Sequence, residues 1–185
     1  LVGPVFNETV QALTVALSER GYQLMLGQSG YADSREDDLL GAIIGRRPDG
    51  IVLTGVSHSA EARRRLLAAG IPVVETWDLT PTPIDMVVGF SHSAVAEAVC
   101  RRLHAGGRRR LAVIGADDER AQRRTAAFLA AARGLRLPKP AVYQVAAPAM
   151  SDGGRSGLRA LLAQDPDIDG VFCSSDVLAL GLRIE

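Results

Sequence analysis

The sequence predicts a doubly wound α/β fold. Short apolar runs rich in β-branched residues alternate with helical segments along the whole chain, which is the order of elements in a parallel sheet with right-handed crossovers. Many of the runs are unbroken, as in Ile51-Val52-Leu53, and unbroken runs are typical of strands buried on both faces. Glycines such as Gly21 and Gly70 follow helical segments, where a C-cap glycine is expected.

Each element follows from its local pattern. The first helix is amphipathic, because Val10, Leu13 and Leu17 form one apolar stripe. The predicted strands cover residues 22–27, 50–55, 71–76, 86–90, 110–115, 141–145 and 170–173. The predicted helices cover residues 5–20, 35–47, 60–69, 93–105, 121–133 and 154–164.

Both ends of the chain differ from those of a complete domain. The first strand has only Leu1 and Val2 before a helix begins, whereas strands average about five residues. The last predicted strand leads into a helix that stops at Glu185. We therefore expect a fragment that is incomplete at both ends, or a chain that lacks residues near 2/3 and 181/182.

Composition excludes several classes of protein. The chain has 185 residues, 47% of them hydrophobic, so it can bury a core. Its 21 basic and 21 acidic residues cancel, which argues against a nucleic-acid-binding surface within these residues. No apolar run reaches the length of a membrane span, and we expect no signal peptide at the start of the given sequence. Two cysteines, Cys100 and Cys173, are expected to be buried thiols in a reducing compartment.

The sequence contains no metal or cofactor motif. The three histidines are far apart, and neither a Walker A sequence nor GxGxxG follows a strand. The best candidate nucleophile is Ser91, at a strand-to-helix turn similar to a nucleophile elbow. Ser93 replaces the second glycine of that motif, however, so we expect Ser91 or Ser93 to cap the following helix instead.

Polar and aromatic residues follow several predicted strands, where open α/β sheets bind ligands. Arg123 and Arg124 come after the polar loop 117–120, and a guanidinium there can grip a carboxylate or can simply lie on a solvated helix face. Trp77 can stack on a sugar or fill the underside of its loop. Asp176 can cap a helix, present oxygen to a hydroxylated ligand, or do both.

Four segments of the chain form a recognisable set. They are residues 21–24 (GYQL), 46–55 (RRPDGIVLTG), 69–75 (AGIPVVE) and 171–181 (VFCSSDVLALG). Together they resemble the effector-binding domain of LacI-type bacterial transcription regulators, which is related to periplasmic sugar-binding proteins. The resemblance covers nearly the whole chain. Within the family, the stretch 71–90, with Trp77-Asp78-Leu79, is most similar to gluconate-operon repressors.

This resemblance implies two parallel-sheet lobes of the periplasmic-binding-protein-like type I, which close over a small molecule. Residues 1–106 would form the N-terminal lobe and residues 107–185 the first part of the C-terminal lobe. The family's DNA-binding helix-turn-helix is absent from this chain. The implied protein is a cytoplasmic homodimer without a cofactor, which senses a sugar or sugar acid and binds operator DNA through its missing N-terminal domain.

The resemblance also implies the residues that contact the effector. Arg124 matches the arginine that grips the effector, Phe6 matches an aromatic residue of the N-terminal lobe, and Met150 falls where an aromatic residue often covers the ligand. Ser91-His92 replace the family's Asp-Asn after the strand that ends at Phe90. The complete expected set is Phe6, Trp77, Arg120, Arg124, Met150, Ser175 and Asp176.

Two other functions remain open from the sequence. An extracytoplasmic solute-binding protein of a sugar transporter would have the same fold and cleft. An enzyme would depend on Ser91 alone. Arg124 together with a flexible Met150 favours an open-chain sugar acid such as gluconate as the ligand of the sensor.

Overall fold

The computed structural model describes residues 4–28 and 33–184, which belong to two compact units, Leu1–Phe90 (unit 1) and Ser91–Glu185 (unit 2). The described elements of unit 1 are α1 (Pro4–Ser18), α2 (Asp33–Ile44), β1 (Ile51–Thr54), α3 (Ala60–Ala69), β2 (Val73–Thr76) and β3 (Met86–Val88). Those of unit 2 are α4 (His92–Ala105), β4 (Leu111–Ala116), α5 (Glu119–Gly134), β5 (Ala141–Val145), α6 (Ser151–Gln164), β6 (Gly170–Cys173) and α7 (Asp176–Ile184).

Unit 1 is built around a parallel sheet with the order β1-β2-β3 in its described part. Leu53 and Val73 point to one face of this sheet and pack with Leu40 of α2 and Leu66 of α3. Side chains alternate between the two faces of a strand, and β1 accordingly alternates between buried and exposed residues. The core of unit 1 thus lies between its sheet and α2 and α3.

Unit 2 has a parallel sheet with the order β5-β4-β6, and β4 lies in its centre. Leu111 and Val113 pack into a cluster with α4 and α5, whereas Ala112 and Ile114 pack into a second cluster with α6 and α7. Helices therefore cover both faces of the sheet, which is why all six residues of β4 are buried. The α/β fold class predicted from the sequence is confirmed.

The segment 22–27 differs from its prediction, because the structure assigns no strand there. The apolar residues Tyr22, Met25 and Leu26 are exposed. A strand is defined by backbone hydrogen bonds to a neighbour, and the pattern of the segment alone does not supply that neighbour. The predicted strand at Leu1 and Val2 lies outside the described residues.

The lobe boundary predicted at 106/107 and the observed division at 90/91 differ by α4. Ala96 and Cys100 of α4 are fully buried against Phe128 and Phe172 of unit 2. These apolar contacts are the reason that α4 belongs to unit 2.

In the described part of the chain, no helix has the length and apolar character needed to cross a bilayer.

Candidate functional site

Three loops of unit 2 meet at one edge of its sheet. Because β4, β5 and β6 are parallel, their carboxyl ends lie on the same side. The amide of Ala147 donates to Asp117 Oδ1 at 2.7 Å, and the amide of Ala116 donates to Ser174 Oγ at 3.1 Å. The first bond links the loop after β4 to the loop after β5, and the second links β4 to the loop after β6. The loops at this edge are therefore fixed relative to one another.

Arg124 is held at this edge by a histidine. Its Nη1 lies 2.7 Å from Nδ1 of His92, the first residue of α4, and the His92 side chain is buried. Arginine has only donors, so Nδ1 accepts this bond and the ring proton lies on Nε2. The half-buried guanidinium is thereby fixed in orientation by a neutral ring. A fixed, planar donor group suits the recognition of a carboxylate.

The neighbouring arginines have different surroundings. Arg123 forms an ion pair with Glu119 one turn earlier, as expected for a solvated helix face. The predicted loop 117–120 is shorter in the structure, because Asp118 caps α5 by accepting a bond from the Ala121 amide at 3.0 Å. Arg120 consequently lies in the first turn of α5 and is half-buried.

Ser175 and Asp176 lie at the start of α7. The helix begins at Asp176, so this exposed carboxylate lies in the first turn of α7. It is not the N-cap residue, which was one of the roles that the sequence left open. A negative charge there is favoured by the helix dipole. Ser175 Oγ is buried and forms no hydrogen bond to any described residue. Buried hydroxyls usually have a partner, so this oxygen is available for one.

Met150 lies immediately before α6 and is 63% exposed. It belongs to the loop after β5, which Asp117 ties to β4. Its thioether chain is flexible and adapts to irregular surfaces. Five of the predicted residues thus belong to the carboxyl edge of unit 2, namely Arg120, Arg124, Met150, Ser175 and Asp176.

Unit 1 contains an aromatic cluster of its own, which we define as Phe6, Trp77 and Phe90. The ring of Trp77 lies 4.9 Å from that of Phe6 and 6.0 Å from that of Phe90, within the range of favourable aromatic pairs. Gly89 lets the chain pass close to Asp78, since a Cβ there would lie 2.0 Å from the Asp78 carbonyl oxygen. Phe6 and Trp77, both expected to contact the effector, thus lie in contact with each other in unit 1, and their role in binding stays a prediction.

Sequence reasoning missed two residues of these sites. Phe90 is partly exposed and follows β3, and its position at a strand end was a usable signal. His92 was noted only as a departure from the family pattern, because nothing in the sequence places it beside Arg124. Ser91 caps α4 by accepting a bond from the Ala94 amide at 3.1 Å, which confirms the predicted cap.

The two cysteines are free thiols, and Cys100 is buried as predicted. Cys173 is half-buried, and burial raises the pKa of its thiol to about 11. Such a thiol is a poor nucleophile near neutral pH. Among the described residues, no group of three or more His, Cys, Asp or Glu side chains is arranged to hold a metal ion.

Parallel α/β units with polar side chains at their carboxyl edges define a class of proteins that bind small molecules there. Residues 2–184 match the model of a family described as periplasmic binding proteins and sugar binding domain of LacI family. The chain belongs to this family.

The relatives of the chain include transcription regulators. It is 36% identical over 193 residues to the HTH-type transcriptional regulator GntR of Pseudomonas aeruginosa, covering 100% of this chain and 54% of that protein. A LacI family transcriptional regulator from Silicibacter pomeroyi matches with a TM-score of 0.93 and 34% identity, covering 100% of this chain and 70% of that one. The transcription regulator GntR from Chromobacterium violaceum matches with a TM-score of 0.89 and 34% identity, covering 97% and 67%.

These regulators confirm the predicted resemblance, and they are not enzymes. The chain spans about half the length of the curated relatives it matches.

Proposed function

We propose that this chain is the effector-sensing part of a transcription regulator and that its effector is a small sugar acid. The observation that carries the proposal is the pair formed by Arg124 and His92 at the carboxyl edge of unit 2. The three relatives described above are transcription regulators, and each is more than 30% identical to this chain. This favours a sensor over a component of a transporter.

The side chains at this edge suit a ligand with one carboxylate and several hydroxyls. Arg124 would bind the carboxylate with two parallel hydrogen bonds, a geometry that lysine cannot reproduce. Ser175 Oγ and the Asp176 carboxylate would bind hydroxyls, and Arg120 would add positive charge. The flexible Met150 suits an open chain better than a flat ring.

The aromatic cluster of unit 1 would supply the second set of contacts. Phe6 and Trp77 would pack against the carbon backbone of the ligand, whose C–H groups interact favourably with aromatic faces. A ligand that contacts both units stabilises the arrangement in which both sets of contacts are made. The relative positions of the units would then depend on effector binding.

Through this dependence the effector would control binding to operator DNA. The protein would be a cytoplasmic homodimer with a DNA-binding domain N-terminal to this chain. The effector would alter the spacing between the two DNA-binding domains of the dimer. The coupling free energy between an effector site and an operator site is typically about 1–3 kcal/mol. It cannot exceed the difference between the free energies with which the effector binds the two arrangements of the units.

Isothermal titration calorimetry with gluconate and with glucose tests the proposed ligand class. We expect gluconate to bind and glucose to bind at least about tenfold more weakly, a difference of about 1.4 kcal/mol, because glucose has no carboxylate for Arg124 to bind. Arg124→Lys keeps the charge but removes the planar pair of N–H donors that a guanidinium offers to a carboxylate. It should weaken gluconate binding by a similar factor.

Arg123→Lys is the matched control, because Arg123 faces Glu119 on the surface, and its binding isotherm should match that of the unaltered chain. Tight glucose binding with no heat from gluconate would refute the sugar-acid proposal.

A further inference from the structure

Three ionisable side chains meet in the interior of unit 1, outside the contacts assigned to the effector. His58, in the loop after β1, places Nδ1 2.8 Å from Glu36 Oε1 of α2 and Nε2 3.5 Å from Glu75 Oε1 of β2. The side chains of His58 and Glu75 are 4% and 0% exposed. One imidazole ring therefore links carboxylates from two different elements.

The geometry favours a charged ring. A neutral imidazole has a single N–H, whereas the imidazolium has two. Nδ1 of His58 is hydrogen-bonded to Glu36, and Nε2 lies at ion-pair distance from Glu75 Oε1 without a hydrogen bond to it. Burial of the ring opposes protonation, but the hydrogen bond to Glu36 and the charges of Glu36 and Glu75 outweigh it and raise the pKa of His58. A charged His58 also supplies the buried Glu75 with a counter-charge.

Among the described residues, the carboxylates whose charges act on His58 are Glu36 of α2 and Glu75 of β2. Three other ionisable side chains of the surrounding segments have hydrogen-bond partners of their own. They are Asp37 of α2, which accepts from Ser59 Oγ at 2.7 Å, Arg63 of α3, which donates to the Pro83 carbonyl at 3.3 Å, and Asp85 before β3, which accepts from the Val73 amide at 3.1 Å.

Glu75 connects this group to Trp77. Its second oxygen, Oε2, accepts a hydrogen bond from the Ile84 amide at 2.6 Å, so one carboxylate fixes both ends of the loop that contains Trp77. Trp77 has a φ of +69°, a left-handed conformation that is costly for a residue other than glycine. Such a conformation persists when its surroundings hold it in place.

We propose that His58, in its charged form, is a positioning residue for Trp77, acting through Glu75 and the loop that Glu75 closes. The consequence for effector binding rests on the proposed function, whereas the effect on Trp77 itself does not. The raised pKa gives the sign: the ring is charged below it, and the charge is lost as the pH rises through it. Deprotonation would leave Glu75 buried without a counter-charge and loosen the loop.

Trp77 is the only tryptophan of the chain, so its fluorescence reports directly on the loop. We expect its emission to shift to longer wavelength, and its quenching by acrylamide to increase, in one transition centred above about pH 6.5, the ordinary pKa of histidine. His58→Gln should remove the transition. The matched control is His104→Gln in unit 2, which should leave it unchanged, while circular dichroism verifies that each variant is folded.

Rescue distinguishes the loss of charge from general damage. Glu75→Gln removes the buried charge but keeps an oxygen for the Ile84 amide, so its Trp77 emission should not depend on pH. Combining His58→Gln with Glu75→Gln should restore the emission that the unaltered chain shows at about pH 6, because no unpaired charge remains. A purely structural role for His58 predicts no such rescue.

A Trp77 signal that stays constant between about pH 6 and pH 9 would overturn the proposal, as would a transition that survives in His58→Gln or a double variant that stays perturbed. If the signal titrates but no sugar acid binds, the positioning role stands and the proposed function fails. If gluconate binds, its affinity should fall with the same pH midpoint as the fluorescence.

Discussion

The two units bury their strands in different ways. β4 of unit 2 lies between two layers of helices and is buried at all six residues. β1 of unit 1 is buried on one face by α2 and α3, and Val88 of β3, which pairs with β2, is 67% exposed. The sheet of unit 2 is enclosed by apolar side chains, whereas unit 1 also encloses His58 and Glu75, two buried ionisable side chains that lie 3.5 Å apart. Stability that depends on a buried charge responds to pH, and apolar packing does not.

The largest expected effect is in the apolar core of unit 2. Phe128 is fully buried and stacks on Phe172 at 4.9 Å, so Phe128→Ala should lower the free energy of unfolding by about 3–5 kcal/mol. Urea denaturation followed by circular dichroism measures this loss.

The matched variant in unit 1 is Phe90→Ala. Phe90 is partly exposed and contacts Trp77 edge-on, so the loss should be only about 0.5–1.5 kcal/mol. Equal losses in the two variants would contradict the contrast between the units.

An intermediate effect is expected where α6 and α7 approach each other. A Cβ on Gly154 would lie 2.0 Å from the Leu178 carbonyl oxygen, so Gly154→Ala should destabilise unit 2 by about 1–3 kcal/mol through overpacking. Gly134, at the end of α5, has no atom within 4 Å of such a Cβ. Gly134→Ala should therefore have the opposite sign and stabilise the chain by up to about 1 kcal/mol. Thermal denaturation measures both effects. If the melting temperatures of the two variants shift in the same direction, α6 and α7 are not in tight contact at Gly154.

The smallest effect compares one helix cap in each unit. Ser91 accepts a bond from the Ala94 amide, and Ser59 accepts one from the Ala62 amide. Ser91→Ala should cost about 1 kcal/mol. Ser59→Ala should cost more, because Ser59 Oγ also donates to Asp37. A larger loss at Ser91, measured by urea denaturation, would refute this ranking.

Local patterns predicted much of the fold. The apolar run at 110–115 identified β4, and the serine at a strand-to-helix turn identified the cap of α4. Segment 22–27 failed, because an apolar run becomes a strand only when another strand pairs with it. Helix α4 was predicted as an element, but its unit depends on Ala96 and Cys100 finding the core around Phe128.

The candidate residues of the two units divide in the same way. Trp77, Arg124 and Ser175 were singled out from their positions after strands and from the resemblance, and their role in binding stays a prediction. His92 and Phe90 were not, because 32 residues separate His92 from Arg124 and 13 separate Phe90 from Trp77, by subtraction of their positions. No local pattern shows that residues so far apart in sequence meet, although the position of Phe90 after a strand was a signal for that residue.

The order of residues by itself determined the alternation of strands and helices, the helix caps and the family, because periodicity, capping and motif spacing act over a few neighbouring positions. The tertiary structure alone decided which ionisable side chains meet: Glu36, His58 and Glu75 in unit 1, and His92 and Arg124 in unit 2. Electrostatic and hydrogen-bond energies depend on distance and burial in space, and both are set only when the chain has folded.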